Sequence, residues 1–270
     1  MNPNQALWEK GDFTRIAASM RTSGDEVVAG LGDVTGLDVL DLGCGDGTTA
    51  LPAAERGANV LGVDIAENLV EAGNRRAAEA GLENLRFVQG DARNLDGIPD
   101  DSFDLVVSMF GAMFAPDPDQ VAKEMVRVTR PGGRIVMGNW IPGDPTLVAQ
   151  ILKISSAYSP PPPAGFVSPM TWGVEDTVVE RFTGAGVPRE NISCRPATFT
   201  FENDEPASEF LNDFRTYYGP TMNAFAAAGE NGREADLHGE LDELFNAQNQ
   251  SADPGHTTIP ATYLQVTVSV

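Results

Sequence analysis

Between Leu37 and Trp140, short runs rich in β-branched residues alternate with helically patterned stretches, and this alternation constrains the fold more than any other feature. Parallel strands cannot be joined by tight hairpins; each pair needs a crossover, and a helix packed on the sheet supplies it. The runs LDVLDLG, ANVLGVD, LRFVQGD, FDLVVSMF and RIVMGNW predict five strands of one sheet. A helix is expected from about Thr48 to Arg56, and a second from about Glu67 to Ala80, stopped by Gly81. A third starts near Asp117, where Val121, Met125 and Val128 share a face, and ends before the turn Pro131-Gly132-Gly133.

The flanks are read more coarsely. Residues 1–36 form an expected helical cap, with Ile16, Met20, Val27, Val28 and Leu31 near helical spacing. Residues 37–140 form the core, and 141–270 complete the same domain. In that last part, Ser159-Pro160-Pro161-Pro162-Pro163 predicts a stiff extended connector. A helix near Val174 to Phe182, a strand near Ile192 to Phe201 and a helical segment over 206–249, expected to form the acceptor lid, follow. The alternating TYLQVTVSV closes the chain as a strand.

A chain of 270 residues, 41% hydrophobic, can bury a full α/β core with one insertion. Its net charge of -21, from 18 basic and 39 acidic residues, opposes binding to nucleic-acid phosphates and anionic membranes. The longest near-apolar run, Val106 to Pro116, is roughly half of what a membrane-spanning helix needs. The opening MNPNQALWEKGDFTRIA lacks the pattern of a secretory signal, so a cytoplasmic location is expected. Cys44 and Cys194 stand far apart, with no zinc spacing, and read as plain thiols; no metal site is expected.

The chemistry-bearing motif is Asp41-Leu42-Gly43-Cys44-Gly45-Asp46-Gly47, at a strand end and opening a helix. Glycines let backbone approach a ligand closely, and the helix start adds unpaired N–H groups. By itself such a loop also suits nicotinamide and flavin enzymes, whose fingerprint is G-x-G-x-x-G. Asp64, ending the second strand, can accept hydrogen bonds from ribose hydroxyls. Ile65 can lie on an adenine face, and Asp91-Ala92 can meet an adenine edge.

With these pieces in place, the region resembles the class I S-adenosylmethionine-dependent methyltransferases, particularly the branch that includes ubiquinone and menaquinone biosynthesis enzymes. VLDLGCGDG, GVDIA, QGDARNL, DSFDLVVS and RPGGRIV carry the resemblance, in order. WGVEDTVVERF and FRTYYGPT are similar to a subgroup of bacterial methyltransferases. The resemblance implies a doubly wound, Rossmann-like α/β sheet of seven strands, mostly parallel, with the last antiparallel. It implies S-adenosyl-L-methionine as cofactor, with Asp41, Gly43 and Gly45 along its methionine and ribose, Asp64 on the ribose, and Ile65, Asp91 and Ala92 at the adenine. Ser108, Met109 and Phe110 would sit near the methionine end.

The expected reaction is in-line methyl transfer to a small-molecule acceptor at an O, N or C atom, driven chiefly by alignment. Tyr217, Tyr218 and His238 are weak candidates for a general base, and His256 a weaker one. Met113, Phe114 and Trp140 could contact an apolar acceptor, while Trp8 and Phe13 could close over the cofactor. Two other readings compete: a non-catalytic S-adenosylmethionine-binding regulator or partner subunit, and an NAD(P)-dependent oxidoreductase. The sequence does not specify an oligomeric state.

Overall fold

A computed structural model describes residues 3–270, so the first two residues of the expected cap lie outside the described chain. The elements in chain order begin with α1 (Pro3–Trp8), α2 (Phe13–Ala18), α3 (Arg21–Gly30), β1 (Asp38–Leu42), α4 (Ala50–Glu55), β2 (Asn59–Asp64) and α5 (Glu67–Glu79). They continue with β3 (Leu85–Gln89), β4 (Phe103–Met109), α6 (Pro118–Val128), β5 (Thr129–Trp140), α7 (Leu147–Ser156) and α8 (Glu175–Gly184). The C-terminal part holds β6 (Ile192–Asn203), α9 (Ala207–Tyr217), α10 (Gly219–Glu230), α11 (Glu234–Gln248) and β7 (Thr257–Ser269).

The seven strands lie in the order β3-β2-β1-β4-β5-β7-β6. β1 to β5 run parallel, and β7 is antiparallel to both β5 and β6. Strand order reverses between β1 and β4, which opens a crevice at their carboxyl ends. Both sheet faces are covered. Leu40, Leu42, Val106, Ile135 and Met137 face a core shared with Val121 and Met125 of α6 and Phe182 of α8. Val39, Leu105, Val107 and Val136 face the opposite core, with Val28 of α3, Ala50 and Ala54 of α4, and Val70 of α5.

Several elements differ from the sequence expectation. The N-terminal stretch is three short helices, broken at Gly11, whose φ is 79°, and again between Ala18 and Arg21. α7 lies where no element is expected, although Leu147, Ile151 and Ser155 follow the i, i+4 rule and share its buried face. β5 begins at Thr129, with the Pro-Gly-Gly turn taken up as an irregularity opposite Phe103 and Leu105, and Gly132 at φ 83°. β7 starts at Thr257, five residues before the expected strand, and pairs with the whole of β6. Its Pro260 lies beyond Tyr263, where pairing with β5 stops, and Pro196 lies on the edge strand β6. Both prolines occupy places where a missing N–H does least damage.

The segment between β6 and β7 forms a helical layer around three phenylalanines. Ring centroids are 5.1 Å apart for Phe210–Phe214, 5.7 Å for Phe210–Phe245 and 5.3 Å for Phe214–Phe245, all edge-to-face. Phe245 is fully buried. Phe245→Ala is therefore expected to lower the unfolding free energy by about 3–5 kcal/mol, read from urea denaturation. A loss below about 1 kcal/mol would mean that α11 is not integral to the core.

Candidate functional site

The site is built where β1 and β4 end side by side. Gly43, at φ 69°, brings the turn after β1 against the turn after β4: a Cβ on Gly43 would stand 2.6 Å from the Gly111 Cα. A Cβ on Gly111 would in turn run into the Gly43 carbonyl. Gly43 and Cys44 donate to the Val63 carbonyl at 2.8 and 3.2 Å, fixing the loop to the end of β2. The Asp64 carboxylate then ties the next layer together. Its Oδ2 accepts from Gly45 N at 2.8 Å and its Oδ1 from Ala66 N at 2.9 Å.

These turns floor a cleft of about 940 Å³ of atom-free space, its open mouth included. Four carboxylates line it: Asp41, Asp46, Asp64 and Asp91. Asp46 is paired with Arg21 of α3 and, at 3.7 Å, with Arg76 of α5. Asp91 receives the Arg93 guanidinium at 2.6 Å. Among the described residues, Asp41 and Asp64 have no ion-pair partner, and the buried Asp41 Oδ2 accepts no hydrogen bond. Burial and the nearby Asp64 charge push the Asp41 carboxyl up to about 7, against the backbone N–H of Ala50. Burial also raises Asp64, although the N–H groups of Ala66, Gly45 and Ile65 oppose it. Burial, with the same carboxylates, holds the Cys44 thiol protonated.

The cleft's other wall is apolar. Trp8, Phe13 and Met20 come from the N-terminal helices, Met109 and Phe110 from the end of β4, and Phe199 from β6. Phe110 has a φ of 61°, unusual for an aromatic residue. Its ring lies flat on Trp140, 3.8 Å between centroids and 6° between planes, and meets Phe199 edge-on at 5.0 Å.

The expected cofactor residues Asp41, Gly43, Gly45, Asp64, Ile65, Asp91, Ala92, Met109 and Phe110 all line this one cleft. Ser108 does not. At 1% exposure it donates to the Leu42 carbonyl at 2.7 Å and accepts from Ala112 N at 2.9 Å, so it bolts the two turns together from behind. Met113 points into the core, and Trp140 backs the Phe110 ring without lining the cleft. Phe114 also stays off the wall, packed edge-on against Trp8 at 5.0 Å, while its carbonyl accepts from Asn4 Nδ2.

None of the candidate bases reaches the cleft. Tyr218 is buried among Trp8, Phe13 and Phe214, and burial pushes its phenol above the ordinary range. Tyr217 lies under the Arg15 guanidinium, 5.4 Å from the ring centroid. His238 sits in a separate depression with Arg215 and Glu234, and His256 faces Asp204 at 3.3 Å. The sequence reading missed Asn4, Met20, Asp46, Thr48, Thr49 and Phe199 on the wall. Asp46 and the threonines adjoin the glycine motif and were within reach; Phe199, far along the chain, carried no local signal.

The sequence pattern described as a methyltransferase domain matches residues 40–137. An uncharacterised protein of Mycobacterium tuberculosis is 34% identical over 240 residues, covering 88% of this chain and 84% of its own. Demethylmenaquinone methyltransferase of Lactococcus lactis is 38% identical over 109 residues, covering 39% of this chain and 43% of its own. In fold, the chain is similar to the YcgJ protein of Bacillus subtilis, with a TM-score of 0.58, 20% identity, and coverage of 92% and 98%.

The contact between the two turns leaves no room for a side chain. Gly111→Ala is expected to destabilise the protein by about 1–3 kcal/mol, since backbone must move to admit the methyl group. Urea unfolding checks this, and a variant of unchanged midpoint would show that the turns are not locked.

Proposed function

The chain belongs to the class I S-adenosylmethionine-dependent methyltransferases, and from that premise we propose that it methylates a small-molecule acceptor in the cleft beyond β1 and β4. The observation that carries this reading is the buried, partnerless Oδ2 of Asp41 beside the equally buried Asp64. Two uncompensated carboxylates in one apolar-walled cleft fit a ligand that brings both a cation and hydroxyl donors.

S-adenosylmethionine supplies both, together with a methyl group on a sulfonium whose C–S electron pair returns to sulfur on transfer. Asp41 would hold the ammonium, with the Gly43–Gly45 backbone alongside. Asp64 would offer its remaining lone pairs to ribose hydroxyls, beside the N–H groups of Gly45, Ala66 and Ile65. Ile65 and Ala92 would flank the adenine, and Asp91, already shared with Arg93, would lie at its edge. No histidine, lysine or tyrosine lines the cleft among the described residues. The chain's contribution is then orientation and water exclusion, effects that can supply roughly 7–11 kcal/mol.

A small acceptor fits the N-terminal helices over the cleft and the charge of -21, which opposes nucleic acid. The free thiols Cys44 and Cys194 suit the reducing cytoplasm, where we place the protein. No helix among the described residues is long and apolar enough to cross a membrane.

Calorimetric titration with S-adenosylmethionine, S-adenosylhomocysteine and NADH tests the reading: the first two should bind and the third should not. Asp64→Ala should weaken S-adenosylhomocysteine at least about tenfold, or about 1.4 kcal/mol, measured below the variant's unfolding transition; an unchanged affinity would remove the ribose assignment.

Asp41 adds a pH signature. Its folded carboxyl titrates near 7 rather than 3.8, so charging it opposes folding of the free protein as pH rises between those values. A bound ammonium favours the charged form, so binding should release a proton below pH 7. S-adenosylhomocysteine affinity should therefore rise about fivefold between roughly pH 6 and 7, and Asp41→Asn should flatten that rise. A wild-type affinity independent of pH would refute the assignment.

A further inference from the structure

The cleft has two chemically different ends. Its carboxylates come from β1, the glycine loop, β2 and the turn after β3, whereas its rings come from the turn after β4, β6 and the N-terminal helices. The sheet order puts β2 and β3 on one side of β1, and β4, β5, β7 and β6 on the other. A nucleoside held by Asp64 and Ile65 therefore leaves the β4 side for the second substrate. We infer that this end is an acceptor subsite for an uncharged aromatic ring, with Phe110, Phe199 and Phe13 as its specificity-determining walls. The inference rests on the methyltransferase reading and narrows its acceptor to one chemical class.

Three observations support it. The first is charge: among the described residues lining the cleft there is no lysine, arginine or histidine, and every ionisable oxygen is a carboxylate. An acceptor bearing a carboxylate or phosphate would be desolvated at the apolar end with no side-chain cation to receive it. The arginines nearest the site are engaged elsewhere, Arg21 and Arg76 with Asp46 and Arg93 with Asp91.

The second is the fixed orientation of the Phe110 ring. Its left-handed backbone carries a steric penalty and persists only where the surroundings over-determine it. Gly111 locked against Gly43 holds it from one side, and Trp140, Phe199 and Tyr263 hold its ring from the other. A rigid aromatic wall favours a flat partner stacked or edge-on over a flexible chain.

The third is the covering side. The Phe13 ring stands 3.9 Å from where a Gly45 Cβ would lie, so it spans the glycine loop and the apolar end together. Met20, also on the wall, offers a polarizable thioether suited to an aromatic edge.

The test uses the whole protein saturated with S-adenosylhomocysteine, titrated calorimetrically with 2-naphthol and with 2-naphthoate. The two share a ring system, and only the second is an anion at neutral pH. 2-Naphthol should bind at least about tenfold tighter. Phe199→Leu should weaken it by about fivefold or more, with S-adenosylhomocysteine affinity held within about twofold; Phe13→Ala, which also strips a ring from over the glycine loop, should weaken 2-naphthol by a similar factor while the protein is kept saturated with S-adenosylhomocysteine. Phe13 is only half-buried, so its variant carries the test should Phe199→Leu fail to fold. Naphthoate binding as tightly as naphthol, no naphthol binding to the loaded protein, or an unchanged naphthol affinity in the variants would overturn the subsite. Failure of S-adenosylhomocysteine itself to bind would instead remove the cofactor reading, and the subsite with it.

Discussion

The backbone contact between Gly43 and Gly111 sets the geometry from which the rest of the site follows. Parallel neighbours β1 and β4 send their following helices to opposite faces, so the turns leaving them must part at the strand ends. Here they touch before parting, because neither residue has a side chain. Ser108 reinforces the contact from below, spanning from the Leu42 carbonyl to the Ala112 amide. With both turns fixed, Asp41 is buried at the end of β1 and Phe110 is forced into its left-handed conformation at the end of β4. One steric constraint thereby positions the most polar and the most aromatic group of the cleft.

Electrostatics then divides the acidic residues into two kinds. Asp46 and Asp91 have their own arginines, and their charge is largely answered within the protein. Asp41 and Asp64 are answered only by backbone N–H groups, which offset part of the desolvation each suffers. A pair of that kind is a liability for the free fold and an asset only if a ligand completes it. Arg21 extends the logic to the cap, since its bonds to Asp46 and Thr48 hold α3 to the glycine loop. The helices that cover the cleft are therefore anchored to the motif that floors it.

Much of this was legible in the sequence, for identifiable reasons. The five parallel strands and their helices show local periods of two and 3.6, and the glycine motif with Asp64 and Asp91 marks strand ends; all lie within one contiguous stretch. Grouping Ser108, Met109 and Phe110 at the cofactor ignored that same period. Successive side chains on a strand point to opposite faces, so Ser108 turns inward, while Met109 and Phe110 both reach the cleft only because the strand stops between them. His238 follows the same rule on a helix. Leu237, Leu241 and Phe245 take the buried stripe of α11, and their neighbour is left at its margin.

What the sequence did not show is what depends on distant pairing. Phe199 meets Phe110 across a separation no window spans, and only because β7 inserts between β5 and β6. That insertion matters for chemistry as well as for topology. β7 runs antiparallel to both neighbours and enters between β5 and β6 after the α9–α11 layer. The long β6–β7 pair then carries Phe199 and Tyr263, 6.5 Å apart, edge-on to the Phe110 ring. The parallel core alone would form a cleft with an open side; the antiparallel pair is what furnishes that side with an aromatic wall.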